Sequence, residues 1–157
     1  MSARFTRLLP CLVAVLLWCG CTPKAPTVAL SIHGVSAGMS RQDVLAGKGA
    51  PRHEDGGTME YDNGFKVFVD QSGMVIRVGP GDQLEVSGAL IAKAGDPVER
   101  IRIRLGEPSR TESLAGARDR LYYKEGGLTV DVIHLVDSRG QPTDQTQLGG
   151  FTLEVPH

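Results

Sequence analysis

The sequence predicts an α+β fold of two pseudo-symmetric repeats, each a short helix followed by an antiparallel β-meander. Three observations predict it: an internal repeat at constant offset, matching helix caps in both copies, and a hydrophobic period that changes from helical to alternating after each helix. Gly38 to Pro51 aligns without a gap on Gly95 to Pro108, an offset of 57 that brings Gly49 onto Gly106 and Pro51 onto Pro108. Two copies are too few for a solenoid, so the expectation is a pair sharing one core, residues 28–83 and 84–157.

Each element follows from local chemistry. Ser40 with Asp43 three residues on, and Asp96 with Glu99 three residues on, predict capping boxes in which a side-chain oxygen satisfies an orphan backbone N–H. Pro97 suits the first helical position, where its missing donor does no harm. Gly49 and Gly106 tolerate the left-handed dihedrals of a helix stop, and Pro51 and Pro108 forbid continuation. The helices are therefore only two to three turns long. Val98, Ile101 and Leu105 form the apolar face of the second, Val44 and Leu45 that of the first.

Beyond each helix, Met59 to Tyr61, Phe65 to Val69 and Met74 to Val78 read as strands, joined by the turns Asp62-Asn63-Gly64 and Asp70 to Gly73. Leu121 to Tyr123, Leu128 to Val136 and Phe151 to Val155 repeat the pattern, with Gln141 to Gly150 as an extended loop. A short strand from Leu84 to Val86 bridges the halves, after a turn at Gly79-Pro80-Gly81.

The amino terminus predicts a location. Arg4 and Arg7 precede an apolar run from Leu8 to Trp18 that stops at Cys19-Gly20-Cys21, the layout of an export signal over residues 1–20 and too short for a membrane-spanning helix. The run ahead of Cys21 resembles the lipobox of bacterial lipoproteins. That resemblance implies cleavage after Gly20, a lipidated Cys21, and residues 21–27 as an extended, proline-bearing tether. The alternative is an ordinary secretory signal with an incidental cysteine, although Trp18 breaks the pair of small residues such a site wants. Thr22, in the place where Asp would matter, implies by the same resemblance an outer-membrane anchor with the domain on the periplasmic face.

Loss of residues 1–20 removes Cys11 and Cys19, and lipid consumes Cys21, so no thiol remains for a disulfide or a metal. Without Arg4 and Arg7, 15 basic side chains face 18 acidic ones, a balance that gives nucleic acid no basic patch to bind.

Gly38-Met39-Ser40, Gly49, Pro51, Tyr61-Asp62-Asn63-Gly64 and Asp70 to Gly73 together resemble the SmpA/OmlA (BamE-like) lipoprotein domain and the β-lactamase-inhibitor-protein (BLIP) repeat. The second copy carries the likeness through Gly95, Gly106, Pro108, Tyr123 and Gly127. The resemblance implies a protein-binding or assembly-supporting envelope lipoprotein without catalysis.

Motifs for chemistry are sparse. His53-Glu54-Asp55 is the one local cluster of possible metal ligands and reads as a solvated turn, leaving no metal or cofactor expected. His134 alternates with Val132 and Val136 and reads as a satisfied strand histidine. Asp70 and Asp137 each open a hairpin turn, where Asp bonds the backbone two residues on. There is no phosphate-binding glycine loop, and the expectation is a protein that is not an enzyme. Binding candidates are the aromatics Tyr61, Phe68, Tyr122 and Tyr123, since such rings bury large area at low entropic cost. Adjacent Tyr122 and Tyr123 must face opposite sides of one strand. The expected function is a lipid-anchored, non-catalytic binding or scaffolding module with an envelope protein as partner, in outer-membrane assembly or maintenance. The alternative is an inhibitor or sensor of a periplasmic enzyme.

Overall fold

The computed structural model describes residues 29–155. Eleven strands are present among them: β1 (Leu30–Ile32), β2 (His53–Asp55), β3 (Thr58–Glu60), β4 (Lys66–Val69), β5 (Val75–Gly81), β6 (Gln83–Val86), β7 (Ala89–Lys93), β8 (Arg110–Leu114), β9 (Arg118–Tyr123), β10 (Leu128–Val136) and β11 (Pro142–Glu154). Two helices accompany them, α1 (Arg41–Lys48) and α2 (Glu99–Leu105). Eight strands form one antiparallel sheet in the order β2-β3-β4-β5-β11-β10-β9-β8, and β1-β6-β7 form a second, three-stranded sheet.

This corrects the expected fold class. The protein is mostly β, and it is not two α+β repeats of helix plus meander. β11 pairs with β5, placing Leu153 opposite Val78 and Glu154 opposite Arg77, so one ladder of hydrogen bonds runs from edge to edge of the large sheet. The missed strands explain the error. β1, β2, β7 and β8 are short, and β2 and β8 carry mainly exposed polar residues, which leaves no apolar alternation to read. The expected loop from Gln141 to Gly150 is most of β11, held by pairs such as Gln147 with Ile133 and Thr146 with His134. Gly79-Pro80-Gly81 is the end of β5, where Gly81 faces Phe151. Leu84 to Val86 lies within the small sheet, between β1 and β7.

Local punctuation does recur. Ser40 caps α1, accepting from the Asp43 backbone N–H at 3.1 Å and donating its hydroxyl to the Asp43 carboxylate at 2.6 Å. Gly49 and Gly106 end the helices with φ of 81° in both. Asp70 Oδ1 accepts from the N–H groups of Ser72 and Met74, and Asp137 Oδ1 from those of Arg139 and Gln141. Asp96 departs from expectation. Its carboxylate turns back to the Lys93 N–H at 3.0 Å, its backbone pairs with Leu148, and α2 starts at Glu99, its N-cap Val98 offering no side-chain cap.

The core lies between the two sheets. Met59, Val67, Val78, Leu153, Leu128, Val130 and Leu121 point inward from the large sheet and are buried, as are Ile32 and Leu84 from the small one. Val44 of α1 and Ile101 of α2 join the same cluster. The small sheet and the helices thus cover one face of the large sheet. Alternation along the strands turns the other face to solvent.

Candidate functional site

The open face of the large sheet is built by the partners of those core residues. Lys66 and Phe68 flank Val67, Arg120 and Tyr122 flank Leu121, Thr129 and Asp131 flank Val130, and Thr152 and Glu154 flank Leu153. Register then decides neighbours. Phe68 lies opposite Arg77, and Tyr122 lies opposite Arg110 on one side and Thr129 on the other.

Both pairings place an arginine over a ring. The Arg77 guanidinium carbon stands 3.9 Å from the Phe68 ring centroid, and that of Arg110 stands 4.0 Å from the Tyr122 centroid. Glu112 ties the second stack together, accepting from the Tyr122 hydroxyl at 2.6 Å and from Arg110 at 3.0 Å. The rings are half-buried and fixed in orientation. Phe68 on β4 and Tyr122 on β9 are four strands apart, roughly 19 Å at the usual spacing.

Charges on this face neutralise one another locally. Lys66 pairs with Glu60 at 3.4 Å, Arg77 with Glu154 at 4.0 Å and Arg120 with Asp131 at 2.8 Å. The Asp131 hydrogen bond raises the pKa of Arg120, favouring its charged form. Exposed Ile76 and Ile133 add apolar area to the face.

The four aromatic candidates go to different places. Phe68 and Tyr122 share the open face. Tyr123 is the buried member of the tyrosine pair, 7% exposed, with its pKa raised by burial, so the core takes the ring that sequence alone could not assign. Tyr61 is off the sheet face, packed against Phe65 at 6.0 Å with its hydroxyl donating to the Gly49 carbonyl at 3.3 Å. It borders a pocket of about 470 Å³ with His33, which pairs with Asp82 at 2.7 Å. Cys21 and the residues expected to form the signal and tether, 1–20 and 21–27, lie outside the described residues.

His53, Glu54 and Asp55 form β2, where alternation separates Glu54 from its neighbours and Arg41 clamps it at 3.0 and 2.9 Å. That hydrogen bond holds the Glu54 carboxyl below its usual range. His134 meets Asp119 at 2.8 Å at one end of the core-side face, and the contact lowers the Asp119 pKa. Among the described residues no three His, Cys, Asp or Glu side chains gather as a metal site.

Sequence reading missed Arg77 and Arg110. Their signal is positional: each must be known to lie opposite an aromatic, and the bulge between Phe68 and Val69 hides the first register.

No family model matches the chain, and no curated protein matches it. A solved structure of a DUF4309 family protein (YjgB) from Bacillus subtilis subsp. subtilis str. 168 is similar over 71% of this chain and 78% of that one, at 13% identity and a TM-score of 0.36.

Proposed function

We propose that this protein is a lipid-anchored cell-envelope module that binds another envelope protein, without catalysis, through the open face of its large sheet. The observation that carries the reading is the pair of arginine-stacked rings, Phe68 under Arg77 and Tyr122 under Arg110, on a face that no described element covers. Tyr and Arg are the residue types that most often dominate interface energy, and a ring already held by a guanidinium loses little freedom on docking. The local ion pairing lets the face meet a partner without an excess of either charge. The anchor rests on Cys19-Gly20-Cys21 in the sequence, and the outer membrane is its proposed address.

The test is in-cell crosslinking of the full chain followed by mass spectrometry, comparing wild type with Phe68→Ala/Tyr122→Ala. A partner captured by wild type should fall at least tenfold in the variant while the melting temperature changes by only a few degrees. Outer-membrane proteins among the losses would assign an assembly role, and one periplasmic enzyme would assign inhibition. An unchanged partner set would remove this face from the account.

A further inference from the structure

A second pocket, of about 470 Å³, opens between the C-terminal end of α2, the small sheet and β9. That volume lies within the range of small-ligand sites, roughly 300 to 1,000 Å³. It is distinct from the open sheet face, because Tyr123 lines it from the core side of β9. Its apolar wall comes from four side chains on four elements: Leu30 of β1, Val86 of β6, Ile91 of β7 and Leu105 of α2.

Two cations border this apolar wall. Arg104 and Lys124 line the pocket, and neither makes an ion pair among the described residues, although most other arginines of the domain do. Glu107 also borders it, but leans to Arg102 at 3.7 Å and is mostly in solvent. The Tyr123 hydroxyl is buried there with no hydrogen-bond partner among the described residues, a donor left over in the wall. An apolar cleft with two unpaired cations at its border suits a molecule with an aliphatic body and an anionic head.

We propose that this pocket binds a medium-chain fatty acid, its chain against Leu30, Val86, Ile91 and Leu105 and its carboxylate on Arg104 and Lys124. A fatty acid fits better than a neutral lipid, because only an anion makes charge-assisted contacts with the two cations.

The test uses the full chain in phospholipid nanodiscs, dodecanoate bearing a mid-chain diazirine, and the matching photoreactive dodecanol. After irradiation, dodecanoate should label peptides carrying Val86, Ile91 or Leu105, and excess unlabelled dodecanoate should suppress the label. Arg104→Gln/Lys124→Gln removes two exposed charges without touching the core, and should lower the dodecanoate label at least fivefold while leaving dodecanol labelling unchanged. Label spread along the chain, or equal yields in wild type and variant, would overturn the proposal. So would label that enters the pocket only when residues 22–27 are deleted, which would make the chain's own tether the occupant. None of these readouts requires a protein partner, so the outcome is independent of the function proposed above.

Discussion

Replacing Tyr123 and Tyr122 by alanine, one at a time, tests the assignment of sheet faces. Tyr123 sits in the main core cluster, 7% exposed, on the same side of β9 as Leu121. Truncation there removes a packed ring and leaves a cavity, at a cost of about 3 to 5 kcal/mol. For a domain of this size each kcal/mol moves the melting temperature by roughly 3 to 4 °C, so the expected fall is roughly 10 to 20 °C. Tyr122, one residue away, gives up a stack with Arg110 and a hydrogen bond to Glu112 on the open face. An exposed cation–π contact is worth about 0.5 to 1 kcal/mol, and the fall should stay below roughly 5 °C. Differential scanning calorimetry of the two variants against wild type reads both numbers. Equal falls, or a larger one for Tyr122→Ala, would refute the placement of β9 and with it the open binding face.

Three further outcomes are expected. Gly106→Ala has room for its methyl, so only the φ of 81° resists it and the loss should be about 1 to 2 kcal/mol by urea titration; Gly127→Ala adds a clash between its Cβ and the Glu154 carbonyl and should lose clearly more. The Asp119 carboxyl is held below its ordinary value of 3.8, chiefly by the hydrogen bond to His134. A lowered carboxyl stabilises the fold fully above the ordinary value and stops doing so as pH falls through the lowered one, so Asp119→Asn should make the acid limb of melting temperature below about pH 4 shallower than that of the wild type. Cys21→Ser should abolish incorporation of labelled palmitate and release the protein from the membrane fraction, since stable anchoring takes more than one acyl chain; a variant that fractionates and labels like wild type would exclude the lipid anchor.

Features decided within a few residues of chain are legible in the sequence. The Ser40 cap, the glycine stops at Gly49 and Gly106, the Asp70 and Asp137 turns and the alternation of β10 were all legible, because each depends on backbone groups at most four positions away. Asp96 departs from its local signal for the opposite reason. Its backbone is claimed by Leu148, some fifty residues on, and that pairing moves the helix start past the local cap signal. The union of β5 with β11, which makes one sheet where two meanders were expected, has the same character: hydrogen bonds of a ladder are identical for any pair of strands, and only burial of Val78, Leu153 and Phe151 together selects this one. Both candidate sites lie beyond the reach of the chain's local pattern. Arg77 meets Phe68 through strand register, and Leu30, Ile91, Leu105 and Lys124 come from segments far apart in sequence, gathered by packing of the small sheet and α2 over the core. The sequence fixes which side chains are available, and the tertiary fold decides which of them share a surface, because that depends on distances set by the core as a whole.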